Sequence, residues 1–147
     1  MIPSIGSAGG EGVKQTVLFV CTHNAGRSQM AEGYTNARYG DRHEAFSAGT
    51  EPGTLNPYVV RAMAETGIDI SGHHPKDLET FAGLEMDVMV TVCERGRCPV
   101  FPWAKTVIHR EFDDPSRLTG TDEEIMDGVR RIRDEICAWI DETFGVG

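Results

Sequence analysis

The stretch that most constrains this chain is residues 16–28, TVLFVCTHNAGRS. Its first part is apolar and rich in β-branched residues, which is typical of a strand buried on both faces. Its last part runs from Ser28 into QMAE, a pattern that indicates the start of a helix. Cys21 opens the connecting loop, and Arg27 follows six positions later. The sequence therefore predicts a strand, a tight loop that begins with a cysteine, and a helix.

A loop that leads from a buried strand into a helix directs several backbone N–H groups at one point. The helix dipole adds partial positive charge there, and such a concavity binds tetrahedral oxyanions. Asn24 and Gly26 tolerate the left-handed backbone that this loop needs, and Arg27 offers paired donors that close over an anion. The predicted oxyanion-binding residues, here called the oxyanion loop, are Thr22, His23, Asn24, Ala25, Gly26, Arg27 and Ser28.

Cys21 is the candidate nucleophile of this loop. Positive surroundings favour a cysteine thiolate, and Ser28 is placed to donate a hydrogen bond to it. His23 is expected to be a surface side chain rather than a base. The alternative is that Cys21 is a small apolar residue at the end of a strand, followed by an ordinary turn. The Cys-x5-Arg-Ser pattern between a strand and a helix favours a site for covalent attack on a phosphate-like centre.

Length, charge and cysteine content limit the class of protein. The 147 residues suffice for one core, and we predict a flexible tail at residues 1–13 and a single catalytic domain at 14–147. A net charge of -9 argues against nucleic acid or an anionic membrane as partner. No apolar run reaches membrane-spanning length. The four cysteines do not suit a small secreted disulfide scaffold, so we expect a cytoplasmic location.

Strand and helix patterns alternate along the chain. Thr121 and Glu124 form a capping box before the last apolar helical stripe. In chain order, the predicted elements are strand 16–21, helix 28–39, strand 43–49, helix 57–66, short helix 76–84, strand 87–93, strand 104–109 and helix 122–143.

This alternation indicates an α/β fold, a three-layer α/β/α sandwich around a four-stranded parallel sheet. Right-handed crossovers place the strands in the order 2-1-3-4. Ligands of such sheets bind at the carboxyl ends of the strands, where the strand order reverses. Cys21 ends the first predicted strand and Cys93 ends the third, its neighbour. Because adjacent strands lie about 5 Å apart, both cysteines should open into one crevice.

Cys93 and Cys98 form a second candidate site. The loop between them contains Gly96 and two arginines, so it is flexible enough for a disulfide and favours thiolates. Two buried cysteines, a structural zinc site and a redox pair are the competing interpretations. The charged residues beside Cys93 and Cys98 argue against two buried cysteines. A structural zinc site needs four ligands, and the histidines of the chain are too scattered to supply the others. A redox pair is favoured because Cys21 needs regeneration if its substrate takes electrons, whereas Cys137 is assigned to core packing.

Asp114 is the candidate general acid. It precedes Pro115 in the loop after the fourth predicted strand, at the same edge of the sheet as Cys21. A carboxyl group there can give a proton to a departing oxygen. The alternative is a simple turn, because Asp-Pro is a common turn dipeptide, and Asp113 is the second candidate.

These motifs resemble a known family. CTHNAGRS is similar to the phosphate loop of low-molecular-weight protein-tyrosine phosphatases. The longer set CTHNAGRSQMAEG, FSAGTEPGTLNP, IDISGHHPKDL, VTVCERGRCPVFP and FDDPS resembles the arsenate reductases built on that fold, of the thioredoxin-coupled type. The resemblance extends over about residues 16–143 and implies a low-molecular-weight phosphatase-like fold.

The resemblance also implies a reaction. Arsenate would bind in the oxyanion loop, Cys21 would attack arsenic, and Asp114, the Asp before Pro, would protonate the departing oxygen. Cys93 would attack Cys21 and release arsenite, and Cys98 would attack Cys93 and leave a disulfide for thioredoxin. No metal or bound organic cofactor is implied, since the electrons come from thioredoxin or another thiol reductant.

The chain departs from the family pattern at three places. The loop with Cys93 and Cys98 is two residues shorter than in the best-known pattern, and Gly26 stands where some relatives have a second cysteine. Ser116 and Arg117 occupy positions at which tyrosine phosphatases of this fold have aromatic residues that grip the substrate ring. The last departure favours a small inorganic oxyanion over aryl phosphates.

Three alternatives stay open. A low-molecular-weight protein-tyrosine phosphatase would use Cys21, Arg27 and Asp114 to hydrolyse phosphomonoesters through a cysteinyl-phosphate. An oxyanion sensor would bind the anion and leave the thiol inert. A glutaredoxin-like protein or a small thiol would replace thioredoxin as the reductant.

The resemblance also extends to a potassium site that some relatives contain. Asn24, Glu32 and Ser47 match positions that help to hold potassium in some relatives, and the other two positions are His74 and Lys76. The ammonium group of Lys76 could occupy the place of the cation. The hypothesis is that activity does not respond to potassium.

Overall fold

Four parallel strands form one sheet in the computed structural model, which describes residues 14–92 and 101–145. The sheet order is β2-β1-β3-β4, so the predicted α/β fold and strand order are confirmed. The central strand is buried throughout its middle because it has a neighbour on each side and apolar layers above and below. The strands are β1 (Gln15–Cys21), β2 (His43–Gly49), β3 (Met86–Thr91) and β4 (Ala104–His109).

Three helices pack against one face of this sheet. They are α1 (Arg27–Tyr39), α2 (Pro57–Ala64) and α3 (Asp122–Phe144), and they share a core with Val17 and Phe19 of β1. The alternate residues of β1, Leu18 and Val20, point to the opposite face. That face packs against a short 3-10 helix (Leu78–Phe81) and Phe101, so the second outer layer is thin.

Some predicted boundaries differ from the structure for tertiary reasons. The short helix expected over residues 76–84 is reduced to the 3-10 helix, because Asp77 pairs with Gly49 as an extended bridge and the Lys76 carbonyl accepts the Gly49 N–H at 2.8 Å. The third strand, expected over residues 87–93, ends at Thr91. The predicted tail at residues 1–13 lies outside the described residues, so the domain division stays a prediction.

The capping box at the start of α3 is present as predicted. The hydroxyl oxygen of Thr121 accepts the Glu124 N–H at 3.1 Å, and the Glu124 carboxylate accepts the Thr121 N–H at 2.9 Å. The box is exposed, and the buried stripe of α3 begins only at Met126. Its contribution to stability can therefore be measured without disturbing the core.

We predict that Thr121→Ala lowers the free energy of unfolding by about 1 kcal/mol, because the Glu124 N–H in the first turn of α3 loses its partner. Urea unfolding of the variant and of the wild type measures this difference. Thr121→Ser, which keeps the hydroxyl group, is the matched control and should remain close to wild type. Equal midpoints for the alanine and serine variants would contradict a stabilising box.

Candidate active site

The oxyanion loop begins at the carboxyl end of β1 and ends in the first turn of α1. Cys21 is the last residue of β1, and α1 starts at Arg27 after the N-cap Gly26. No side chain caps this helix start, and its first turn contains no acidic residue. The positive end of the α1 dipole is therefore not neutralised by the helix's own side chains.

Backbone carbonyl groups of the loop point away from the cysteine. Because the N–H of each following residue is directed opposite to the carbonyl in the same peptide unit, these N–H groups point away from the segment after β2. One of them, the Asn24 N–H, donates to the Cys21 Sγ at 3.2 Å. The carbonyls of Thr22, His23 and Ala25 accept the N–H groups of Glu51, Gly53 and Asn56 at 2.8, 2.9 and 2.9 Å.

Two glycines let the chain approach this loop closely. A Cβ atom on Gly49 would lie 2.6 Å from the Thr22 carbonyl oxygen, and one on Gly26 would lie 3.1 Å from Pro115 Cγ. Asn24 has the expected left-handed backbone, with φ of 51°, and is fully buried. The expectation of a left-handed Gly26 is wrong, since its φ is -143°. A side chain at Gly26 would be in tight contact with Pro115.

Cys21 is buried, with its sulfur surrounded by donors. Its Sγ lies 2.9 Å from the Ser28 Oγ, and its relative exposure is 2%. The Asn24 side-chain amide donates to the same Ser28 Oγ at 2.7 Å. Because that bond uses a lone pair of the hydroxyl oxygen, the Ser28 hydrogen is available for the sulfur. Two donors, from Ser28 and the Asn24 backbone, thus face the place where a thiolate charge would develop.

Arg27 lies between the ends of two strands. Its guanidinium donates to the carbonyl oxygens of Val92 at 3.4 Å and Phe112 at 3.2 Å, and it is buried. Its second terminal nitrogen lies 3.5 Å from the Asp114 carboxylate. The side chain therefore links the oxyanion loop to the segments that follow β3 and β4.

Asp114 precedes a second 3-10 helix (Pro115–Arg117), which it caps through Ser116. The Ser116 N–H and hydroxyl donate to its Oδ1 at 2.9 and 2.8 Å. Burial acts to raise the Asp114 pKa, but these hydrogen bonds and the charges of Arg27 and Arg117 outweigh it and hold the pKa below its usual range. Asp113 instead points to Arg131 on α3, 3.3 Å away.

One cleft brings together most of the predicted residues. Asn56 was not identified as a site residue from the sequence, and Ser116 was named only as a departure from the family pattern. Only the folded chain brings the turn after β2 and the turn after β4 to the oxyanion loop. His23 is exposed, as expected, and its Nδ1 lies 2.8 Å from the Glu51 carbonyl oxygen. No aromatic side chain is found among the described residues of the cleft, which are Cys21, His23, Ala25, Gly26, Arg27, Asn56, Asp114, Pro115 and Ser116.

Cys93 and Cys98 lie outside the described residues. The residue before them, Val92, donates its N–H to the Val20 carbonyl at 2.9 Å, which extends the pairing of Val20 with Thr91. Val92 therefore lies at the carboxyl end of β3, beside the end of β1 that carries Cys21. Cys137 is half-buried on α3, and burial, with the nearby Asp134 carboxylate, raises its pKa to about 12.

A compact polar cluster supports the loop from behind. The Lys76 ammonium donates to the His74 carbonyl at 3.1 Å and lies 3.9 Å from the Glu32 carboxylate. The Ser47 hydroxyl donates to the same carboxylate oxygen at 2.5 Å. The Lys76 N–H reaches the Asn24 Oδ1 at 2.8 Å. The structure thus brings together the five residues named for the cation position, with an ammonium group among them.

Two further features limit the chemistry of the described segments. Residues 14–92 and 101–145 contain no group of three or more His, Cys, Asp or Glu side chains placed to hold a metal ion. None of the helices in those segments is long and apolar enough to cross a membrane.

Comparison of sequences identifies relatives along most of the chain. The pattern of the low molecular weight phosphotyrosine protein phosphatase family matches residues 16–141. An arsenate reductase of Halalkalibacterium halodurans is 42% identical over 125 residues, which cover 84% of this chain and 90% of that protein. Arsenate reductase 1 of Staphylococcus epidermidis is 44% identical over 134 residues, which cover 89% of this chain and 96% of that protein.

Solved structures show the same architecture. An arsenate reductase in a phosphate-binding state has a TM-score of 0.77 at 28% identity, covering 89% of this chain and 97% of that one. A thioredoxin-dependent arsenate reductase of Corynebacterium glutamicum has a TM-score of 0.61 at 28% identity, and the match covers 90% of this chain and 64% of that one. A low molecular weight protein tyrosine phosphatase of T. tengcongensis has a TM-score of 0.73 at 27% identity, and the match covers 90% of this chain and 99% of that one. The chain therefore belongs to the low molecular weight phosphotyrosine protein phosphatase family and is similar to its arsenate reductases.

Proposed function

We propose that this enzyme reduces arsenate to arsenite, with Cys21 as the nucleophile. The observation that supports the proposal most is the environment of the Cys21 sulfur, which receives hydrogen bonds from Ser28 and the Asn24 N–H inside an oxyanion loop. The chain that carries this loop is itself 42% identical to an arsenate reductase. A nucleophile and an anion site in one loop suit covalent attack on a tetrahedral oxyanion.

The first half of the reaction uses the described residues. The inward N–H groups of the oxyanion loop and the Arg27 guanidinium bind arsenate. The Cys21 thiolate attacks arsenic, a sulfur–arsenic bond forms, and one arsenate oxygen departs. Asp114, in the same cleft as Cys21, gives that oxygen a proton so that it leaves as water.

Asp114 must be protonated when it acts as the acid, although its pKa is lowered in the free protein. Its carboxylate lies 3.5 Å from Arg27, which favours the charged form. A bound arsenate places negative charge beside Asp114 and competes for the same guanidinium. Both effects raise the Asp114 pKa, so the carboxyl group gains its proton as the substrate binds.

The second half of the proposed reaction uses Cys93 and Cys98. The Cys93 thiolate attacks the Cys21 sulfur, a disulfide forms, and the electron pair of the sulfur–arsenic bond passes to arsenic, which leaves as arsenite. Cys98 then attacks Cys93 and frees Cys21, and thioredoxin reduces the resulting disulfide. The position of Val92 beside Cys21 supports this relay, as does the thioredoxin-dependent relative.

Phosphomonoester hydrolysis is the second candidate, because an oxyanion loop of this kind also accepts phosphate. The absence of aromatic side chains from the described cleft argues against aryl phosphates as main substrates. We therefore expect only weak aryl-phosphatase activity beside arsenate reduction.

Arsenate-dependent oxidation of NADPH, with thioredoxin and thioredoxin reductase present, tests the relay. Cys93→Ser and Cys98→Ser should both lose this turnover, since each interrupts the transfer of the disulfide. Both should keep aryl-phosphate hydrolysis, which needs only Cys21. Cys137→Ser is the matched control and should retain turnover, because its thiol is assigned to packing.

Other outcomes of that assay would contradict the proposal. A wild type without arsenate turnover but with brisk aryl-phosphate hydrolysis would be a phosphatase. Turnover that is indifferent to both substitutions would leave the chemistry at Cys21 and assign the reductant to an external thiol.

Asp114→Asn tests the general acid. We predict a fall of about 100-fold or more in kcat for arsenate, because the departing oxygen loses its proton donor. KM for arsenate should fall, since a carboxylate 3.5 Å from Arg27 no longer repels the anion. Asp113→Asn, at the neighbouring carboxyl group, should leave both constants near wild type. A variant Asp114→Asn with unchanged kcat would exclude this role.

Potassium tests the role of Lys76. Replacing sodium by potassium at constant ionic strength should leave wild-type activity unchanged, because the Lys76 ammonium lies beside the Glu32 carboxylate and the His74 carbonyl. In Lys76→Ala the ammonium is absent, and potassium should then raise activity. A several-fold rise in the wild type would count against the hypothesis.

A further inference from the structure

The hydrogen bonds behind Cys21 continue well beyond Ser28. Gln29, which is fully buried, places its Nε2 at 3.1 Å from the Asn24 carbonyl oxygen, 3.0 Å from the Asn24 Oδ1 and 3.2 Å from the His74 carbonyl oxygen. Its Oε1 lies 3.0 Å from the Nδ1 of His73, a half-buried residue of the segment before β3. An unbroken line of polar groups therefore joins His73 to the Cys21 sulfur.

The chemistry of the neighbours determines the direction of each bond. Two backbone carbonyls beside the Gln29 amide can only accept, so the atom that faces them is the nitrogen, and the Oε1 faces His73. His73 must then donate from Nδ1, which both the Nδ1–H tautomer and the imidazolium do. The Lys76 N–H donates to the Asn24 Oδ1, so the Asn24 amide nitrogen faces Ser28.

Every bond along this line points towards Cys21. His73 donates to Gln29, Gln29 to Asn24, Asn24 to Ser28, and Ser28 to the sulfur, at 3.0, 3.0, 2.7 and 2.9 Å. Aligned hydrogen bonds in a low-dielectric interior polarise one another, so each bond strengthens the next. Because all the donors point the same way, the line favours negative charge on the sulfur over a neutral thiol.

We propose that His73 and Gln29 are positioning residues of the reaction, which orient this hydrogen-bond chain and thereby stabilise the Cys21 thiolate. This inference rests on the proposed function in that it takes Cys21 as the nucleophile. His73 donates to the Gln29 Oε1 at the outer end of the chain and polarises the amide. Gln29 in turn holds both the backbone and the side chain of Asn24, whose φ of 51° directs its N–H at the sulfur.

A reversed Gln29 amide would be costly in this site. Its Oε1 would face three oxygen atoms, and its Nε2 would face His73, so buried polar groups would lose their partners. These three oxygen atoms hold the amide in one orientation, and His73 adds the donor that polarises it towards Asn24. Removing that donor should therefore reduce thiolate stabilisation at a residue that does not touch the substrate.

The test compares His73→Leu with His73→Asn. Asparagine can place an N–H where the His73 Nδ1–H lies, whereas leucine has a methyl group there. The measurement is the rate at which iodoacetamide alkylates Cys21 as a function of pH, with the labelled peptide identified by mass spectrometry. Only the thiolate reacts, so the profile follows its population.

In His73→Leu we expect alkylation of Cys21 to be about twofold to tenfold slower on the acidic limb, as for the loss of one hydrogen bond. The rate at high pH, where every Cys21 is ionised, should equal that of the wild type. His73→Asn should follow the wild-type profile throughout. Gln29→Met, which removes the central link, should shift the profile at least as far towards high pH.

Two results would overturn the inference. One is a wild-type profile for His73→Leu, and the other is a rate reduced equally at every pH, which would mean altered access to the sulfur. A lower unfolding temperature with an unchanged profile would show a merely structural role. Because alkylation needs no arsenate, a failed reductase assay would leave this test intact, and a failed alkylation test would leave the reductase assay intact.

Discussion

The direction of the backbone in the oxyanion loop is the constraint on which the rest of the site depends. Three of its carbonyls accept N–H groups of the segment after β2, so the N–H groups of the same peptide units face the other way, and that of Asn24 donates to the Cys21 Sγ before any anion binds. Converging donors repel one another, and the left-handed Asn24 adds a cost of about 1 kcal/mol. Backbone hydrogen bonds from the segment after β2, together with the close approach of Gly49, offset that cost. Preorganisation of this kind removes the need to order the loop during binding.

Arg27 connects that loop to the two other segments of the site. In the free protein its charge is shared between the carbonyl dipoles of Val92 and Phe112 and the Asp114 carboxylate. In the proposed reaction an arriving oxyanion competes for the same guanidinium, and the competition changes the protonation of Asp114. The protein is acidic overall, with a net charge of -9, so the attraction for an anion comes from local groups rather than from the whole surface.

Prediction from sequence was most successful where one segment determines its own conformation. The buried strand that ends at Cys21, the helix that follows it and the capping box at Thr121 were each recognised from spacing and residue type. The strand order followed from the handedness of crossovers, which depends little on side-chain detail. Prediction was less accurate where distant backbone segments pair, as between Gly49 and Asp77, since that bridge shortens a helix that local pattern favoured.

The sequence by itself determined the fold class, the central strand and the presence of a cysteine, an arginine and a serine in one loop, because periodicity and spacing report local conformation. Only the tertiary structure decided what the loop backbone faces, how closely Pro115 approaches Gly26 and how Arg27 meets Asp114. It also decided the link from His73 through Gln29 to Asn24. These contacts join residues far apart in the chain, and they depend on how three loops meet at one edge of the sheet, which no local pattern encodes.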